Sequence, residues 1–230
     1  MAVCNSWTAY IGNREVKMLE VLTNPNKFFE TRKKGEESLK LPVFIVLISG
    51  IIGGISAFLS SSMMIEAMSK TLPPEVQSFM SFMPIGSAIG VVVFSFIIWL
   101  IIAAVFFGIS CIFKGEGKFK RTLEFVGYGY IPTIIGGLIS AVLLYNFVTT
   151  VQIPTITDPT KINEVITPLM KSPMMLLSSV ISILFMLWSA NIWVFGLKHA
   201  RNLSTRNALI TVAIPVAAYI LYSVYRMVGW

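Results

Sequence analysis

"LWSANIWVFGLKHARNLSTRNALITVAIP", residues Leu187 to Pro215, decides the fold. Two apolar stretches flank a short polar knot, Lys198 to Asn207, which carries the cations Lys198, Arg201 and Arg206 and the chain's one histidine, His199. Greasy segment, basic turn, greasy segment is the pattern of a helical hairpin turning back at a membrane surface. The sequence favours that hairpin over chemistry, because His199 stands alone on the turn.

The rest of the chain agrees with the hairpin. Of 230 residues, 55% are hydrophobic and 13% are charged, whereas soluble domains carry about 25% charged residues. A bilayer core is about 30 Å thick and needs roughly 20 apolar residues to cross it. Five runs are long enough: Pro42 to Ser62, Ile85 to Phe113, Val126 to Val151, Pro173 to Leu197 and Ala208 to Val228. Barrel strands would be about 10 residues long with alternating polarity, and these runs are longer and apolar all round. The sequence therefore predicts an all-α integral membrane protein with five transmembrane helices.

Residues 1–41 hold seven cations, five acids and no apolar core of signal-peptide length. They predict a cytoplasmic arm rather than a cleaved leader. Residues 42–230 are the five-span membrane domain.

Lysine and arginine accumulate on the cytoplasmic side of membrane proteins. The arm supplies Arg14, Lys17, Lys27, Arg32, Lys33, Lys34 and Lys40. The connection between the second and third runs supplies Lys114, Lys118, Lys120 and Arg121, and the knot supplies Lys198, Arg201 and Arg206. Only Lys70, Lys161, Lys171 and Arg226 fall on the other side. The expected topology has the N-terminus cytoplasmic and the C-terminus extracytoplasmic. Cys4 and Cys111 then both lie on the reducing side, which argues against a structural disulfide. The net charge of +7 points to anionic lipid headgroups beside the spans, or to an acidic protein partner, rather than to nucleic acid.

In the arm, Asn24 is placed to cap a short helix that has Pro25 at its first position, and Gly35 suits its stop. Phe28 and Phe29 are expected to dip into the membrane interface, with Arg32, Lys33 and Lys34 facing headgroups. Such an amphipathic helix is either an anchor for the first span or a platform for partners. The lipid- or partner-contacting set is completed by Lys118, Lys120, Arg121, Lys198, Arg201 and Arg206.

The outer connections are rich in methionine, with Met63, Met64, Met68, Met80 and Met83 near one and Met170, Met174 and Met175 near the other. Thioethers select soft metals such as Cu(I), but methionine also serves as adaptable apolar filler. No Met-x-Met or histidine-rich spacing supports a metal, and no metal or cofactor is expected.

No ionisable residue sits at the centre of any run. That weighs against ion-coupled transport, and no Asp pair, Ser–Lys pair or metal motif supports an enzyme. Small residues are plentiful instead. Gly50, Gly53 and Gly54 mark the first run, Gly136 and Gly137 the third, and Gly86, Gly90, Ala104 and Gly108 the second. Such spacing lets helices approach closely, within the bundle or at a face for a second copy or another membrane protein. "GYGYIPTIIGG" opens the third run, with Pro132 in its first turns and Tyr128 and Tyr130 suited to the inner interface.

These pieces together resemble the Yip family, membrane proteins first named for interacting with Ypt/Rab GTPases. "VLTNPNKFF" in the arm, Gly127, Tyr128 and Pro132 in "GYGYIP", and "LWSANIWVFGLKHARNLSTRNALI" with Trp188 and Gly196 carry the resemblance over nearly the whole chain. It implies five spans, a cytosolic N-terminus and a non-enzymatic role organising membrane or partners. Eukaryotic members have an Asp-Leu-Tyr-Gly-Pro-type motif before the first span, and nothing in residues 1–41 matches it. The chain thus looks like an archaeal or bacterial member, in a prokaryotic plasma membrane, and Rab binding does not carry over intact. Two functions are expected to compete: a membrane scaffold or adaptor, and a channel or carrier for a small uncharged solute or soft metal ion, lined by the small-residue rows and Asn191.

Overall fold

A computed structural model describes residues 19–68, 73–152 and 161–228. Cys4, Arg14, Lys17 and Lys70 lie outside the described residues. Nine helices are named here: α1 (Pro25–Arg32), α2 (Lys40–Met68), α3 (Pro74–Met80), α4 (Met83–Ile112), α5 (Phe119–Tyr128), α6 (Ile131–Thr150), α7 (Ile162–Met170), α8 (Pro173–Ala200) and α9 (Thr205–Val228). No strand occurs among the described residues.

Five segments are long and apolar enough to cross a membrane: α2, the α3–α4 stretch, α5 with α6, α8 and α9. The helices overrun the apolar runs that predicted them. At 1.5 Å per residue the 29 residues of α2 reach about 43 Å, longer than the hydrocarbon core of about 30 Å. Short helices α3 and α7 lie in the two methionine-rich connections at the end away from the arm.

The spans form a ring. α2 packs on α4 and α6, α6 packs on α8, α8 packs on α9, and a slighter contact of α9 with α4 closes the circle. Glycines make the close seams. A Cβ on Gly50 would lie 2.6 Å from Ser95 Oγ and 3.3 Å from Val92 Cα, and one on Gly54 would lie 2.9 Å from the Ala88 carbonyl oxygen, so α2 and α4 touch nearly backbone to backbone. A Cβ on Gly136 would meet the Phe185 ring at 2.7 Å, one on Gly137 would meet Ile52 at 3.1 Å, and one on Gly53 would meet Val91 at 3.1 Å. Gly86, Gly90 and Gly108 differ: a Cβ there would meet nothing within 4 Å. Their small-residue row faces away from the bundle.

The third span is two helices, not one. Pro132 has no N–H to give and begins α6. The chain turns tightly at Gly129 and Tyr130 just before it. The Val126 carbonyl, which an unbroken helix would offer to Tyr130, accepts instead from the Gly129 N–H at 3.1 Å and from the Trp193 indole Nε1–H at 2.8 Å.

Burial is uneven along the bundle. Two apolar clusters fill the end that carries the arm. One is built on Trp99, Phe106, Trp193 and Leu197, the other on Phe29, Phe125, Tyr128 and Ile192. The far end has a smaller cluster of Met63, Leu144 and Phe147, against which Met174 and Met175 pack. These methionines act as apolar filler.

Candidate functional site

The site is the end of the bundle where the arm, the α4–α5 turn and the α8–α9 knot converge. Asn24 caps α1, its side chain accepting from the Lys27 N–H at 3.2 Å, and Pro25 follows in the first turn. This places Phe28 and Phe29 on one face of α1. The rings point into the protein. Phe29 is fully buried, Phe28 is 9% exposed, and they lie edge-on to each other and to Tyr128, with Phe29 also 4.7 Å from the Phe125 ring. The expectation that both dip into lipid is thereby corrected. The apolar face of α1 is covered by α5 and α8, which shed water as completely as a bilayer would. Tyr128, expected at the membrane interface, is likewise buried in this aromatic cluster.

Glu124 lies at the bottom of the same joint with its side chain fully buried. It pairs with Arg32 from the arm at 2.5 Å and with Arg121 from its own helix at 2.8 Å. Arg121 reaches further, donating to the Gly35 carbonyl at 2.5 Å. A buried carboxylate between two guanidiniums is costly to break once formed, because either side left alone is a desolvated charge. The Arg32 guanidinium also lies beside the Tyr128 hydroxyl. The Gly-Tyr pair of the sequence motif is therefore a joint: Tyr128 meets the arm, and Gly127 lets Pro42 of α2 come so close that a Cβ would sit 2.6 Å from its Cβ.

The knot docks on the arm from the other side. Lys198 Nζ donates to Asn26 Oδ1 at 2.9 Å, and His199 Nε2 lies 3.0 Å from the same oxygen. Arg201 is buried, at 3% exposure, which overturns the expectation that it meets lipid or a partner. Its Nε donates to Ser110 Oγ at 2.8 Å, and its two terminal nitrogens donate to the carbonyls of Gly115 at 2.5 Å and of Gly117. The guanidinium also stacks 4.0 Å from the Phe107 ring centroid. Gly117 adopts φ +124°, which L side chains rarely adopt, and its α-carbon abuts the Ala200 carbonyl. The α4–α5 turn is thus wrapped around one arginine, its carbonyls serving as the counter-dipoles that a carboxylate would otherwise supply.

The remaining cations stay outside this joint. Lys33, Lys34, Lys118, Lys120 and Arg206 are exposed, together with Lys27, Lys40 and Lys114. The structure divides the predicted contact set accordingly. Arg32, Arg121, Lys198 and Arg201 hold the end together, and the other five form its outer surface. Sequence reasoning missed Glu124, Asn26, Gly129 and the indoles of Trp99 and Trp193. Glu124 left one trace, an acid three residues after Arg121 in a basic stretch. Trp99 Nε1 donates to the Leu123 carbonyl at 3.0 Å, a pairing with no sequence signature. Of the lining expected for a carrier, Asn191 is exposed and not in the space between the helices, whereas Gly53, Gly136 and Gly137 of the small-residue rows border that space. Among the described residues no group of three His, Cys, Asp or Glu side chains is placed to hold a metal ion.

A ring of five apolar helices with an arm locked to one end defines a multi-pass integral membrane protein. The Yip1 domain family model matches residues 19–227, and the chain belongs to that family. It is 43% identical over 130 residues to the uncharacterized protein MJ0794 of Methanocaldococcus jannaschii, an overlap covering 56% of this chain and 89% of that protein. An archaeal relative fits membership of the archaeal or bacterial type and a prokaryotic plasma membrane. No solved structure matches the chain.

Proposed function

We propose that the protein is a non-enzymatic membrane scaffold, whose basic end faces the cytoplasm and gathers anionic lipid or an acidic partner. One observation carries this reading: the arm is fixed to the bundle by the buried Arg32–Glu124–Arg121 group, while Lys33, Lys34, Lys118 and Lys120 remain exposed on the same end. A fixed array of cations binds anionic headgroups without first having to order a loose tail, and each surface lysine near an anionic leaflet contributes about 1 kcal/mol. The cation-rich end is also the one that the charge asymmetry of membrane proteins assigns to the cytoplasm.

The test is native mass spectrometry of the full chain released from nanodiscs of mixed neutral and anionic lipid. Charge reversal at Lys33, Lys34, Lys118 and Lys120 is expected to cut the retained anionic lipid or co-purifying acidic partner severalfold, with no change in melting temperature. Arg32 is left intact because reversing it would break the joint with Glu124. Equal retention in variant and wild type would reject the basic end as the binding surface.

The competing carrier reading draws support from a chamber between the helices. The packed clusters at both ends of the bundle favour the scaffold over an open pore.

A further inference from the structure

Halfway along the bundle, between the two packed ends, lies a chamber of about 250 Å³. Four spans line this half-open chamber, and half of its lining residues carry hydroxyls: Ser49 and Ser56 from α2, Thr133 and Ser140 from α6, Ser182 from α8 and Tyr219 from α9, set among glycines and the apolar Ile52, Phe185 and Met186. No charged side chain lines it. At membrane depth this polarity needs a reason, since hydrocarbon offers hydroxyls no partner.

The helices meet only part of the demand. Ser56 donates to the Ile52 carbonyl at 3.4 Å, Thr133 to the Tyr130 carbonyl at 2.7 Å and Ser182 to the Ser178 carbonyl at 2.9 Å. Each of these oxygens spends its hydrogen on its own helix and keeps lone pairs open. The Ser140 and Ser182 oxygens stand 3.4 Å apart. The hydroxyls of Ser49 and Tyr219 have no protein partner among the described residues. The chamber therefore offers both acceptors and donors, with no net charge.

That chemistry selects its occupant. A cation would forfeit its hydration for neutral oxygens with no carboxylate to offset the loss. A hydrocarbon would leave the Ser49 and Tyr219 hydroxyls unpaired. We infer that the chamber is a binding site for a small uncharged polyhydroxylated group, of the size and chemistry of glycerol. A dry cavity of about 150 Å³ holds one benzene, so this one has room for a glycerol unit with one or two waters.

Two sources supply such a group: a free polyol, or the glycerol portion of a neutral lipid. A second cavity, about 660 Å³ and mostly apolar, runs between α2 and α4 past Val91, Phe94 and Ile98. It shares Ser49 with the chamber and takes in the Tyr130 hydroxyl, which is buried without a hydrogen bond. A lipid whose glycerol sits in the chamber would have this groove for its tail.

Binding of three probes to the full chain in amphipol decides the matter: glycerol, 1-monooctanoylglycerol and methyl octanoate, each followed by saturation-transfer NMR. At least one of the two hydroxylated probes should bind, and S49A/S140A/S182A should weaken it about tenfold or more. Glycerol binding assigns the free polyol; binding of the acylated probe alone assigns the lipid. The inference is overturned if neither binds, if the triple variant binds as tightly as wild type, or if methyl octanoate binds as well as monooctanoylglycerol. S140C in a C4S/C111S background gives a second reading if the triple variant does not fold. The hydroxylated probe should slow its alkylation by iodoacetamide severalfold, and an unchanged rate rejects the site.

Discussion

Glu124 of α5 and Arg32 of the arm are held 2.5 Å apart with the carboxylate fully buried, so the arm is part of the folded end and not an appendage to it. Removing both arginines strands the acid. R32Q/R121Q should destabilise the protein by about 3–5 kcal/mol, and E124Q by less, because both guanidiniums retain some access to water. Denaturant unfolding in detergent, followed by circular dichroism, gives the ordering. Equal losses for the two variants would show that burial of the acid does not set the cost.

A second expectation concerns Gly129. Its missing Cβ leaves the space taken by the Trp193 indole, whose Nε1 donates to the Val126 carbonyl. G129A must push that ring aside or break its hydrogen bond, at a cost of about 1–3 kcal/mol. In W193F the ring is smaller and the bond already gone, so G129A added to W193F should cost clearly less than G129A alone. Strict additivity in this double-mutant cycle would dissociate the two residues.

Arg201 offers a third. Lysine keeps the charge but cannot reach Ser110, Gly115 and Gly117 at once. R201K should lose about 1–3 kcal/mol, with faster amide hydrogen exchange confined largely to residues 113–118. Exchange that stays at the wild-type rate there would mean the turn holds its shape without the guanidinium.

The orientation can be read from Cys111, which is free and exposed at the basic end of α4. In a C4S background, an impermeant maleimide added to intact cells should leave Cys111 unlabelled until the membrane is permeabilised. Labelling in intact cells would reverse the topology.

The spans were legible because about 20 consecutive apolar residues admit few other readings, and Pro42 to Ser62 falls wholly within α2. The cap at Asn24 and Pro25 was legible for a similar reason, since it involves only neighbours in sequence. Phe28 and Phe29 show where that legibility stops. Their spacing reveals an apolar face, but lipid and protein interior satisfy such a face equally well. Arg201 failed differently. Its charge pointed to headgroups, while the three oxygens that bury it belong to the end of α4 and the turn after it, some 90 positions away in the chain. Glu124 needed Arg32, equally remote, before its burial made sense.

The ring of spans is gripped unevenly, with aromatic clusters, a buried ion group and a wrapped arginine at one end and the smaller cluster of Met63, Leu144 and Phe147 at the other. The five helices resemble staves bound by a broad hoop at one end and a narrow one at the other. A change in bilayer thickness or lateral pressure would then fall first on the more lightly packed rim, while the broadly hooped end keeps its shape and its charges.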